Sequence, residues 1–260
     1  MKVFRVSKTA ALFFASLIAI TVPAFVQASQ DDEIAAIRNV IATSMSNLDV
    51  DSIEPSAVDG LYEITLANAQ VIFASADARY FIPGDLFEVT PLGVINRGET
   101  RRNELRAEKI AAVPESEMII FEAEGERKAA LTVFTDVDCP WCRKLHGEVE
   151  RLNELGIAVR YLAFPRQGVK NEKGVDTEIY RKMSSTWCAG DPLAMMTSAT
   201  RGGVVPDAEC DNNPVASHYQ LGRDVGVTGT PALVLEDGTL LPGYVAADQL
   251  ATYILGPASQ

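Results

Sequence analysis

Positive charge is the scarcer sign in this chain: 23 lysines and arginines stand against 35 aspartates and glutamates, a formal net charge of −12 over 260 residues. Grip on a phosphate backbone depends on clustered cations, so nucleic acid is excluded as a partner. Long apolar runs are lacking beyond residue 28, and no later stretch reaches the roughly 20 apolar residues of a bilayer-spanning helix. Internal repeats and low-complexity tracts are missing too. With 47% hydrophobic and 22% charged residues, the composition is ordinarily globular and gives no sign of long disorder. The most telling scarcity is cysteine, with four in all. Two of these stand three positions apart in FTDVDCPWCRKLH, residues 134–146.

The start of the chain supplies the context for that pair. Residues 1–28 carry Lys2, Arg5 and Lys8, then the apolar run ALFFASLIAITVPAFV, and close on Val26-Gln27-Ala28. This pattern is that of a signal peptide cleaved after Ala28. Pro23 interrupts the run, which is too short for a comfortable membrane anchor. The mature protein is therefore expected to be soluble and extracytoplasmic, where disulfides form and persist. Removing the three positive charges of the leader makes it more acidic still.

After the cleavage site, Ile34, Ile37, Ile41 and Met45 fall on one face at helical spacing, with Asp31, Asp32 and Glu33 in the first turn where the helix dipole favours them. From Leu61, short runs rich in Tyr, Ile, Val and Phe suit a small antiparallel meander. A helix and a few strands in residues 29–95 lie near the lower limit for folding alone, so pairing with a second copy would add stability. Residues 96–115 change character: NRGETRRNELRAEKI has only Leu105 and Ile110 as sizeable apolar residues and reads as a solvent-bridging linker helix ended by Pro114. Residues 116–260 then alternate. ALTVFTDV is a buried strand, CRKLHGEVERLNELG a helix capped by Gly156, and IAVRYLAFP a second strand. A polar insertion with helical segments follows, then two strands around an Asp237-Gly238 turn and a helix from Ala246 to Leu255. The order predicts an α/β domain with a mixed central sheet, α+β over the whole chain.

Cys139 and Cys142 occupy the junction of the first strand of that domain with its helix. Backbone N–H groups at a helix start lack internal partners and stabilise an anion placed there, so Cys139 is expected to be more acidic than a free thiol and open to solvent. Pro140 suits the first turn, where its missing N–H costs nothing. Cys142, one turn on, is more deeply placed and can resolve a mixed disulfide that Cys139 forms. Asp136 and Asp138 flank the approach and oppose a thiolate if their charge is felt. His146 is one turn past Cys142 and can lean toward the pair; alternatively it lies with Arg143 and Lys144 on a solvated face. Trp141, an aromatic at an exposed helix start, suits a grip on a partner. Other uses of the cysteines stay open: a four-cysteine zinc site with Cys188 and Cys210, or a merely structural Cys139–Cys142 bridge. The simplest allocation bridges Cys188 to Cys210, worth roughly 3 kcal/mol through loop closure, and leaves the first pair free to cycle.

The run FTDVDCPWCRKLH, with LGIAVRYLAFPRQG, WCAGDP, DAECD and LGRDVGVTGTPALVLEDGTLLPGY, resembles the periplasmic thiol:disulfide interchange proteins of the DsbC family. The resemblance spans essentially the whole mature chain. It implies a thioredoxin-like catalytic domain with a helical insertion, preceded by the charged linker helix and a small cystatin-like α+β dimerisation domain. It further implies disulfide isomerisation in misfolded secreted proteins by a homodimer, with a DsbD-type membrane reductase as electron donor and no cofactor or metal. By position, Cys139 matches the attacking and Cys142 the resolving cysteine, Cys188 and Cys210 the structural disulfide, and Thr230-Pro231 the cis-proline loop beside the site. The Pro140-Trp141 dipeptide departs from the Gly-Tyr of many isomerases and is similar to the sister DsbG family, whose implied role includes reducing sulfenylated single cysteines. A third reading is a chaperone-like binding dimer in which apolar cleft surface prevents aggregation and the cysteines are incidental.

Overall fold

The computed structural model describes residues 29–256, so the expected signal peptide lies outside the described residues. Helix α1 (Gln30–Ser44) begins at a capping box in which Ser29 and Asp32 satisfy one another's backbone, and it buries Ile37 and Ile41. They pack on the antiparallel sheet β1 (Val50–Pro55), β2 (Leu61–Leu66), β3 (Val71–Ser75) and β4 (Phe81–Pro83), in sequential order. Strand β1 buries only Ile53 among its residues and so carries no alternation in its sequence. Tyr62 on β2 donates from its hydroxyl to Glu33 at 2.6 Å, pinning the helix to the sheet.

A separate hairpin, β5 (Phe87–Thr90) with β6 (Gly93–Asn96), carries apolar side chains that nothing among the described residues covers. Val89 is 82% exposed, Leu92 100% and Val94 66%. The hairpin runs directly into α2 (Arg97–Ala111), capped by the Asn96 side chain.

Here the structure corrects the expectation of a solvent-bridging connector. Leu105, Arg106 and Ile110 are buried on α2. Ile110 joins Phe134, Leu162, Phe164 and Val225 in a core cluster of the following domain. The Arg106 guanidinium donates to the backbone carbonyls of Val225 (3.0 Å) and Gly238 (2.5 Å) and to the Asn103 side chain (2.6 Å). Gly238 sits at φ +81°, and a Cβ there would fall 1.9 Å from the Asn103 carbonyl oxygen, so only glycine permits this approach. On the other side, Arg101 pairs with Glu63 and α2 packs on β3, β5 and β6. The helix is thus held at both ends. Composition missed this because a buried arginine counts as polar in any periodicity argument.

The remaining chain forms a mixed five-stranded sheet, in the order β11-β10-β8-β9-β7: β7 (Ile119–Phe121), β8 (Ala129–Thr135), β9 (Ile157–Ala163), β10 (Ala232–Val234) and β11 (Leu240–Pro242). Strands β8 and β9 are parallel and the other pairs antiparallel. All seven residues of β8 are buried, as befits a central strand covered on both faces. The edge strand β7, three residues long, is too short to carry a sequence signal of its own. The expected single helix after the cysteines is divided at Gly147 and Glu148 into α3 (Pro140–His146) and α4 (Val149–Glu154). Gly156, at φ +88°, follows the end of α4 in the left-handed conformation of a helix stop. Helices α5 (Glu178–Trp187), α6 (Pro192–Thr200) and α7 (Val215–Asp224) form the insertion, and α8 (Ala247–Leu255) closes the domain. Among the described residues no helix is long and apolar enough to cross a membrane.

Candidate active site

Strand β8 delivers the chain through Asp136, Val137 and Asp138 to Cys139, the N-cap of α3 with Pro140 at its first position. Opposite lies the loop before β10, where Thr230-Pro231 is a cis peptide. The Cys139 thiol donates to the Thr230 carbonyl at 3.3 Å, which joins two segments 91 residues apart. Cys139 and Cys142 are both unbridged.

The two sulfurs differ in their electrostatics. Burial works against ionisation at Cys139, yet the balance falls below the ordinary thiol value because Thr230, the Cys142 thiol and N–H, and the Trp141 N–H all favour the anion. These N–H groups point toward the sulfur without closing a strict capping hydrogen bond. At Cys142, burial dominates and pushes the thiol up to about 12, with the adjacent Cys139 charge acting in the same direction. The Thr230 hydroxyl, buried beside both sulfurs, has no fixed partner, and so is free to turn its O–H toward a sulfur anion.

Several expectations need correction. Cys139 is not open to solvent: the residue keeps only 2% of its accessible surface. It is packed beneath the Thr230-Pro231 loop, while the neighbouring Trp141 is 57% exposed. The flanking aspartates do not confront the thiol with free charge. Asp136 is buried and takes 3.0 Å hydrogen bonds from the Arg166 N–H and guanidinium, and Asp138 is paired with Arg143 and Lys182. His146 neither lies on a solvated face nor leans toward the pair. Its Nδ1 contacts the Tyr161 hydroxyl at 3.0 Å and its Nε2 the Thr197 hydroxyl at 3.2 Å. Burial first, then the positive charge of Arg201, pulls its pKa down to about 4.

Trp141 stacks on Tyr244 with ring centres 6.0 Å apart and planes inclined by 28°. Lys144 is not simply solvated: its ammonium lies 4.3 Å from the Tyr244 ring centre. Tyr244 and Arg166 were not singled out from the sequence. The signal for Tyr244 was its position just after the last strand, an end that faces the same side as the β8–α3 junction. Cys188 and Cys210 are joined, with Cα atoms 5.4 Å apart, so a four-cysteine zinc arrangement is left without half its sulfurs.

Two unbridged cysteines three positions apart, both buried at a strand-to-helix junction of a mixed sheet, define the thioredoxin-like class of thiol–disulfide exchange proteins. Comparison with known proteins makes this specific. Residues 114–255 match the thioredoxin-like domain family and residues 27–92 the N-terminal domain of disulfide bond isomerase proteins. The chain is 36% identical to the thiol:disulfide interchange protein DsbC of Escherichia coli K12 over 231 residues, covering 89% of this chain and 91% of that one. It is 38% identical to the Salmonella typhimurium DsbC over 222 residues, 85% of this chain and 86% of that one. Among solved structures, a disulfide interchange protein from Neisseria gonorrhoeae, 30% identical, matches 57% of this chain and all of its own with a TM-score of 0.47. The chain belongs to the DsbC family of thiol:disulfide interchange proteins.

Proposed function

We propose that the protein is a periplasmic disulfide isomerase in which Cys139 attacks and Cys142 resolves. The observation that carries this reading is geometric: Cys139 caps the start of α3 and donates to the Thr230 carbonyl at 3.3 Å, Cys142 is buried one turn on, and neither is bridged. The downward direction at Cys139 and the upward one at Cys142 agree with it. The Cys139 thiolate attacks a wrong disulfide in a misfolded secreted protein. The substrate S–S bond breaks, one substrate sulfur leaves as thiolate, and the other is joined to Cys139. Either a substrate thiolate then displaces Cys139, completing isomerisation with no net electron transfer, or Cys142 gives up its proton and attacks Cys139. The second route releases the substrate reduced and leaves a Cys139–Cys142 disulfide, which a membrane dithiol donor of the DsbD type re-reduces. Because Cys139 is covered, productive encounter includes release of its thiol from the Thr230 carbonyl.

Residues 29–95 serve as the dimerisation module, 96–115 as the linker and 116–260 as the catalytic domain, after removal of a leader at Ala28. The bare apolar faces of Val89, Leu92 and Val94 support pairing with a second copy through the β5–β6 hairpin. The Cys188–Cys210 bridge is assigned a structural role. A second reading, reduction of sulfenylated single cysteines, is favoured by the Pro140-Trp141 dipeptide. Relative rates on a scrambled disulfide protein and on a sulfenic acid substrate separate the two.

The test of the main reading is a trap. Cys142→Ser should accumulate a covalent adduct with a scrambled disulfide protein, and Cys139→Ser should form none. Adducts through Cys142 in the absence of Cys139 would overturn the assignment. Val89→Asp should yield a monomer that reduces disulfides but does not isomerise them, read by light scattering and a refolding assay.

A further inference from the structure

The surface beside Cys139 contains a device that the exchange chemistry does not use. Tyr244, in the segment between β11 and α8, donates its hydroxyl to Glu148 Oε1 at 2.5 Å, and Glu148 Oε2 accepts the Ala247 N–H of α8 at 3.2 Å. One carboxylate thereby fixes both the helix start and the tyrosine ring. The ring in turn holds Trp141, two residues from Cys139, in a stack that leaves the indole more than half exposed. Lys144 lies over the Tyr244 ring, and among the described residues no carboxylate is within ion-pair distance of its ammonium. In a chain of net charge −12, a cation kept over an aromatic platform and left without a carboxylate is itself complementary to a carboxylate arriving from outside.

We infer that Trp141, Tyr244 and Lys144 form a substrate-selecting platform that takes a polypeptide segment bearing an aromatic residue with a carboxylate beside it, a few residues from the cysteine under attack. The aromatic side chain extends the Trp141–Tyr244 stack and the carboxylate meets Lys144. Tyr244 is a positioning residue: it orients the indole and does not touch the sulfur. Flat aromatic surface held in one orientation binds at low entropic cost, which is why a rigid platform selects where a free tryptophan would not. The inference rests on the exchange reading above and adds a preference to it.

The test measures the second-order reaction of the reduced mature protein with two synthetic peptides, each carrying one cysteine as its disulfide with a small aliphatic thiol. One has Phe and Asp near the cysteine and the other Ala and Asn at the same places. Wild type should favour the Phe/Asp peptide about three- to tenfold, the range an aromatic pair supplies. Tyr244→Ala should bring the ratio close to one, Tyr244→Phe should keep most of it, and Lys144→Gln should remove the part owed to Asp. If Tyr244→Ala does not fold, Trp141→Ala, a change at an exposed residue, must abolish the ratio instead. A ratio of one in wild type, or an unchanged ratio in Tyr244→Ala, overturns the platform while leaving exchange intact. Failure of both peptides to react overturns the exchange reading itself.

Discussion

Acidification below pH 6.5 should weaken the protein through two histidines. His218 is buried, with Nδ1 accepting the Ala163 N–H at 3.3 Å and Nε2 without a partner. Burial lowers its pKa from 6.5 to about 4. His146 is lowered to about 4 by burial and by Arg201. A base whose folded pKa lies below its unfolded one binds protons preferentially when unfolded, so stability is full above pH 6.5 and falls as pH drops toward 4. Each histidine costs about 1.4 kcal/mol per pH unit in that window, or about 2 kcal/mol at pH 5. His146 is only half-buried, so solvent screening trims its share, and the pair together comes to roughly 3–4 kcal/mol. That is a large part of the 5–15 kcal/mol typical of folded proteins. Two other groups bear on the sign. Asp85 has its pKa lowered from 3.8 by hydrogen bonds from Asn96 and Arg102, so its contribution is lost only at more acidic pH. Glu63, raised by burial, opposes the trend by binding a proton more readily when folded. Urea unfolding of the reduced protein at pH 7 and pH 5, for wild type and His218→Asn, provides the assay. Wild type should lose roughly 3–4 kcal/mol and His218→Asn about 2 kcal/mol less across the same interval. Equal losses in both proteins, or none in wild type, would refute the reasoning.

The other predictions concern the thiols and the linker. Alkylation followed against pH should show one thiol, Cys139, with an inflection below the ordinary thiol value, and Cys142 unreactive until near pH 12. A single inflection at or above the ordinary value contradicts the division of roles. Arg106→Ala should destabilise by roughly 2–4 kcal/mol, since it strands the buried Val225 and Gly238 carbonyls, as measured by denaturant melts. Gly238→Ala should displace α2 from the catalytic domain, visible as increased proteolysis near Asn103. Gly222→Ala, whose Cβ would lie 2.5 Å from the Phe164 ring, should lower the melting temperature and leave the linker in place.

The cysteine pair, the alternation of elements in residues 116–260 and the first helix could be read from the sequence, because each depends on local spacing. Cys139 and Cys142 are three apart, and Ile37 and Ile41 one turn apart, whatever the rest of the chain does. What escaped depends on distant partners. The cover over Cys139 comes from Thr230, 91 residues away. The cations that neutralise Asp136 and Asp138 include Arg166 and Lys182, which no local window joins to them. His146 meets Tyr161 and Thr197 for the same reason. The linker was misjudged since burial of Arg106 is set by carbonyls on two loops that the sequence leaves unplaced.

Helix α2, clamped by Arg101 on one module and by Arg106 and Ile110 on the other, has the character of a strut. Its fifteen residues make a ruler about 22 Å long between the bare hairpin and the thioredoxin-like domain. Inserting one residue would turn everything beyond it by about 100°, so the aim of the reactive face is encoded in the length of a segment that takes no part in sulfur chemistry.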